Sequence, residues 1–184
     1  MYYCLGDYKK AIEFRQQSLS IAKDIGDKSL EEKANCNLGI AYHTLGDYRK
    51  GIECYQQSLG TAKEIRDKGS EGKAYANLGI AYHSGGDYKK AIEFHQQSLS
   101  IAKKIGEKGF EDTAYINLGI AYHSLGVYKK AIEFQQQSLS IAKGIGDKGT
   151  EQAAYTNLGT VYDSLGDYKK ESNFISSLLV SQKR

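Results

Sequence analysis

Residues 70–109 read SEGKAYANLGIAYHSGGDYKKAIEFHQQSLSIAKKIGEKG, and residues 110–149 repeat them with changes at only 9 of 40 positions. The same shift of 40 residues lays Asn37-Leu38-Gly39 on Asn77-Leu78-Gly79, Asn117-Leu118-Gly119 and Asn157-Leu158-Gly159 without an insertion. Such near-identity exceeds what a shared fold requires and marks recent duplication. A period between 20 and 50 residues signals a stacked architecture, in which each unit buries its apolar face against its neighbours.

Within one unit Ala74, Leu78, Ala81 and Tyr82 recur at helical spacing, and Tyr88, Ala91, Ile92, Leu99 and Ala102 do so again. Between the two stretches, Ser84-Gly85-Gly86-Asp87 supplies a glycine stop and a carboxylate able to cap the next helix. Gly106-Glu107-Lys108-Gly109 is a second stop. The unit is therefore a helix-turn-helix hairpin. Tiling predicts first helices over 30–44, 70–84, 110–124 and 150–164, and second helices over 7–25, 47–65, 87–105, 127–145 and 167–181. The chain divides into a partial repeat 1–29, full repeats 30–69, 70–109 and 110–149, and a closing repeat 150–184. Residues 1–29 are mostly a second helix, so the array is expected to begin upstream. Polar Glu171-Ser172-Asn173 and Ser176-Ser177 mark the last helix as a terminal cap.

Composition narrows the function. Lys and Arg number 25 against 22 Asp and Glu, a net charge of +3 that suggests no polyanion partner. No run approaches the roughly 20 apolar residues of a membrane span. The start, Met1-Tyr2-Tyr3-Cys4, resembles no secretory signal, which makes a cytoplasmic location the expectation. Cys4, Cys36 and Cys54 form neither a disulfide framework nor a zinc pattern and are expected to be reduced. No phosphate loop, His-Glu-x-x-His or nucleophile elbow occurs, so the sequence argues against catalysis and calls for neither cofactor nor metal.

Asn77-Leu78-Gly79, Tyr82, Gly86, Tyr88, Ala91 and Phe94 resemble the marked positions of the tetratricopeptide repeat, and the match recurs in every copy. The resemblance implies an all-α, right-handed superhelical solenoid of antiparallel helix-turn-helix hairpins. Repeats of that family usually have about 34 residues and close with Pro, whereas this chain has Lys103 there and a longer second helix. The 40-residue unit with its Ile-Gly-Asp-Lys linker is similar to those of Pins-type G-protein-signalling modulators and, less closely, kinesin light chains. Nothing here resembles the Gα-binding motifs of the former.

A second stripe on the first helix, Lys73, Asn77, Ile80 and Ser84, lies beside the core stripe. The resemblance places it in the concave groove, where relatives hold an extended peptide through a ladder of Asn side chains. The corresponding site residues are Lys33, Asn37, Ile40, His43, Lys73, Asn77, Ile80, His83, Asn117, Ile120, His123 and Asn157. An Asn amide complements a peptide unit, offering donors and an acceptor together. The alternative is that these Asn residues cross-link neighbouring helices. Likewise the His row either lines the groove, adding positive charge when protonated near pH 6.5, or bonds between helices. Stacked helices roughly 8–10 Å apart cannot bring equivalent His residues onto one metal ion. Lys33 and Lys73 make the groove more basic toward the amino end. Ile40, Ile80 and Cys36 stand where a chaperone carboxylate clamp would need polar groups, and Ile at three groove centres suits a ligand with apolar side chains.

The Lys9-Lys10, Arg49-Lys50, Lys89-Lys90, Lys129-Lys130 and Lys169-Lys170 pairs form a basic ridge, but Asp47, Asp87 and the Glu13, Glu53, Glu93 and Glu133 series offset it. Nucleic-acid binding through it is disfavoured. The leading expectation is a scaffold that binds a protein or peptide partner. A structural spacer without a dedicated ligand is the second, and self-association through the incomplete first repeat is expected as well, since Ala11, Ile12 and Phe14 lack a first-helix partner.

Overall fold

The computed structural model describes residues 2–166, with side chains from Tyr8 onward. Eight helices and no strand occur among them: α1 (Tyr2–Asp24), α2 (Lys28–Leu45), α3 (Tyr48–Glu64), α4 (Lys68–Ser84), α5 (Tyr88–Ile105), α6 (Lys108–Ser124), α7 (Tyr128–Ile145) and α8 (Lys148–Ser164). The ninth helix expected over 167–181, with its polar capping face, lies outside the described residues. The chain forms two compact units, Met1–Ile101 and Ala102–Arg184.

The helices follow the predicted tiling, and the small differences have a physical cause. First helices begin two residues early, at Lys28, Lys68, Lys108 and Lys148. The linker Asp is the cap: Asp27, Asp67 and Asp147 accept from Leu30 N, Ser70 N and Thr150 N at 3.0, 3.0 and 3.1 Å. Asp47 and Asp87 cap α3 and α5 in the same way, each at 3.1 Å from the Lys three residues on. Val127 leaves α7 without a side-chain cap, as its apolar chain requires, and Glu107 leaves α6 without one. At the α3–α4 turn Arg66 takes a left-handed φ of 58°, a conformation that glycine adopts at the other linkers. α1 continues through Gly6, where the corresponding Gly46 and Gly86 turn.

In the first unit Ile12, Leu38, Ala41 and Cys54 form one core cluster and Tyr55, Leu78 and Ala81 another. Ile12, expected to lack a first-helix partner in its own incomplete repeat, is buried against α2 of the next; Phe14 is 69% exposed. In the second unit Leu118 and Leu158 are fully buried, and Phe134 stacks on Tyr122 with centroids 5.3 Å apart.

The Gly of Asn-Leu-Gly is set by a close approach in three copies, at Gly39, Gly79 and Gly119. A Cβ at Gly39 would stand 2.6 Å from the Tyr55 ring, and one at Gly79 or Gly119 would collide with His95 or Gln135. The large side chain 16 residues after the glycine lies over it, so a Cβ there requires that side chain to shift.

Lys103, in place of the usual Pro, also has a role. Lys63, Lys103 and Lys143 sit over the rings of Tyr75, Tyr115 and Tyr155 at 5.1, 5.2 and 5.2 Å, fastening the end of each second helix to the following first helix.

Candidate functional site

The residue sequence of α2 and α4 puts Lys33, Asn37, Ile40 and His43, and Lys73, Asn77, Ile80 and His83, at equivalent places on adjacent first helices of the first unit. Lys33, Lys73 and Asn37 are exposed, Asn77, His43 and His83 half-buried, and Ile40 and Ile80 keep 42% and 39% of their surface in solvent. In the second unit α6 and α8 present Asn117, Ile120, His123 and Asn157, with Ile120 37% exposed. Thr160 occupies the fourth central place. Here a cavity of about 280 Å³ opens between Ile120, His123, Asn157 and Thr160, with Gly119 and Gln135 also lining it.

The polar groups of this stripe already bond across it. His43 Nε2 lies 3.0 Å from Ser84 Oγ, and His123 Nε2 lies 2.9 Å from Ser164 Oγ. Each ring also leans on a Tyr at the start of its second helix, with His43–Tyr48, His83–Tyr88 and His123–Tyr128 centroids 5.3, 5.2 and 5.6 Å apart. Burial lowers the His83 pKa below the ordinary imidazole value, so it takes a proton at a lower pH than a free side chain. Asn77 Nδ2 donates to Cys36 Sγ at 3.4 Å, and Asn157 Nδ2 to Gln135 Oε1 at 3.3 Å. Each uses one amide donor, the Asn157 bond being long for N–H···O, and both leave the amide carbonyl of the Asn as an acceptor. Asn37 and Asn117 make no side-chain hydrogen bond among the described residues.

Sequence reasoning missed the residues beneath the stripe. Tyr55, His95 and Gln135 are 3%, 2% and 1% exposed and cover the repeated glycines. Gln135 Nε2 donates to Ile116 O at 3.2 Å while its oxygen receives Asn157. The equivalent Arg15 donates to Asn37 O at 2.5 Å. His95 Nδ1 is buried with no partner, and desolvation, aided by His83, pulls its pKa down to about 4. The available signal was variation: Arg, Tyr, His and Gln at one place in otherwise near-identical copies.

Outside the stripe, the second Lys of three ridge pairs is engaged. Lys50, Lys90 and Lys130 cover the rings of Tyr42, Tyr82 and Tyr122 at 5.2, 5.1 and 5.1 Å, and Lys50 and Lys90 also pair with Asp47 and Asp87 at 3.5 and 3.3 Å. Cys36 and Cys54 are free thiols. Among the described residues no three His, Cys, Asp or Glu side chains gather as metal ligands would, and no helix is long and apolar enough to cross a membrane.

Paired antiparallel helices on a 40-residue period, each first helix carrying the equivalent row of residues, define a helical-repeat protein of the interaction-scaffold class. The chain belongs to the tetratricopeptide repeat family, whose profile matches residues 1–64, 30–104 and 110–175. No curated protein matches it in sequence. It is similar in fold to BtubC (BKLC) from P. vanneervenii, at 20% identity and TM-score 0.86, over 97% of this chain and 74% of that one. A Podosopora anserina protein described as a kinesin light chain with nearly identical TPR-like repeats shares 19% identity at TM-score 0.80, over 96% and 88% of the two chains. A Rap protein crystallised with competence and sporulation factor shares 16% identity at TM-score 0.79, over 97% of this chain and 50% of its own. The chain is a protein-interaction scaffold.

Proposed function

We propose that the first-helix stripe binds an extended peptide segment of a partner protein in the cytoplasm, without catalysis, cofactor or metal. Asn37, Asn77, Asn117 and Asn157 bond the peptide backbone, Ile40, Ile80 and Ile120 receive apolar side chains, and Lys33 and Lys73 favour acidic ones near the amino end. The observation that supports this most is the row of exposed isoleucines beside polar amides that retain free acceptors: burying these isoleucines needs an outside partner.

The His43–Ser84 and His123–Ser164 bonds favour a second reading, in which the stripe serves only to tie first helices together in a spacer. Capture of partners from a matching cell extract separates the two. With Asn77→Ala and Asn117→Ala combined, a peptide reader loses its bound partner by at least about tenfold, at two hydrogen bonds of about 1 kcal/mol each, while helix content by circular dichroism is unchanged. Full retention of the partner supports the spacer.

A further inference from the structure

Two departures from the repeat, distant in sequence, meet in one hollow of the first unit. Arg49 stands where the other copies have Lys9, Lys89, Lys129 and Lys169, and Gly85 stands where they have Leu45, Leu125 and Leu165. Arg49, Ile52 and Glu53 of α3 and Ala81, Tyr82 and Gly85 at the end of α4 line a cavity of about 400 Å³.

The backbone does not require glycine at this place. Gly85 has φ −81° and ψ 0°, open to any residue, and a Cβ there would meet nothing closer than Ala81 O at 3.4 Å. One hairpin earlier, Leu45 packs half-buried onto Ile12, Leu38, Ala41 and Cys54. The corresponding cluster of Tyr55, Leu78 and Ala81, with Ile52, Leu59, Tyr82 and Phe94 packed against it, carries Phe94 at the place of Cys54 and has no side chain at the equivalent of Leu45. The glycine thus leaves an apolar floor shaped for a leucine side chain that the chain itself does not supply.

The rim is charged in a particular order. Asp87, which also lines the cavity, is engaged by Lys90 through its backbone N at 3.1 Å and its Nζ at 3.3 Å. Arg49 makes no ion pair among the described residues. A guanidinium, unlike the lysine ammonium of the other copies, pairs with a carboxylate through two parallel hydrogen bonds. Glu53, one helical turn beyond Arg49, offers an acceptor on the same side of α3. An apolar pocket, a cation and an acceptor around one cavity are met by a single residue that carries an isobutyl group, a carboxylate and an amide N–H.

We infer that this hollow binds a peptide ending in leucine: the isobutyl group replaces the missing side chain at Gly85, the terminal carboxylate pairs with Arg49, and the leucine N–H donates to Glu53. None of the stripe residues lines this cavity, so the two sites fail independently.

The test is an amide-resolved NMR titration of the full chain with N-acetyl-L-leucine, N-acetyl-L-leucinamide and free L-leucine. The expected result is saturable shifts at Ile52, Ala81, Tyr82 and Gly85 with N-acetyl-L-leucine, at a dissociation constant on the order of 1 mM for so small a probe. Binding weakens at least about tenfold for the leucinamide and for Arg49→Gln, since each removes the ionic pair. It disappears in Gly85→Leu, which fills the hollow and is expected to fold at least as stably as the parent, and it survives Asn77→Ala. Absence of saturable shifts, equal binding by Gly85→Leu, equal binding of the leucinamide, or tighter binding of free leucine than of its acetylated form would each overturn the assignment.

Discussion

The α4–α5 and α6–α7 hairpins come from copies that differ at 9 of 40 positions, yet they solve the same packing problem with different chemistry. Both place a flat side chain over a bare glycine. In α6–α7 Gln135 satisfies both ends of its amide, toward Ile116 O at 3.2 Å and Asn157 at 3.3 Å. In α4–α5 His95 fills the equivalent place with Nδ1 unpaired and a pKa near 4. The repeat preserves shape at this place and leaves polarity free, so near-identical hairpins should respond differently to their surroundings.

Acid should separate them most. A histidine with its folded pKa held at about 4 and an unfolded value near 6.5 binds more protons unfolded than folded between those values. Its cost is absent above pH 6.5, grows as pH falls through the window, and levels off below 4, reaching about 3 kcal/mol. Urea unfolding at pH 7.5 and 4.5 should therefore show a loss that His95→Gln, importing the residue of the neighbouring copy, reduces by about 2–3 kcal/mol. Equal acid sensitivity of parent and variant would place the effect on carboxylates instead.

The glycines come next. Gly79→Ala forces a rigid imidazole to move and should cost about 2 kcal/mol, even after the gain in helix propensity. Gly119→Ala meets the end of a flexible amide and should cost about 1 kcal/mol, through weakened hydrogen bonds. Chemical denaturation of the two single variants ranks them; the reverse order would show that His95 has more room than its packing implies.

The smallest effect lies at the caps. Asp87 caps α5 at 3.1 Å, and Val127 caps nothing. Val127→Asp should add about 1 kcal/mol and Asp87→Val remove about as much, each read from the thermal midpoint. If neither moves, tertiary contacts and not the caps hold these helix starts.

Helix order and hairpin pairing were readable from residue order because punctuation and periodicity are local. Asp and Gly at fixed offsets mark the starts and stops, and Leu78, Ala81 and Tyr82 mark a core face whichever neighbour covers it. The first-helix starts were misplaced by two residues because Asp27, Asp67 and Asp147 were read as linker and not as caps. The stripe of Lys33, Asn37, Ile40 and His43 was recognisable as a surface beside the core. Its bonding was not, since His43 finds Ser84 and Asn77 finds Cys36 across more than 40 residues of chain.

By itself, then, the sequence determined an array of two-helix units and their family, since each unit encodes its own turns, caps and apolar face within 40 residues. Tertiary structure alone decided which polar groups are already engaged, why Gly39, Gly79 and Gly119 lie close beneath Tyr55, His95 and Gln135, and that Arg49 and Gly85 share a hollow. Those facts depend on distances between side chains from different helices, and no local pattern carries such distances.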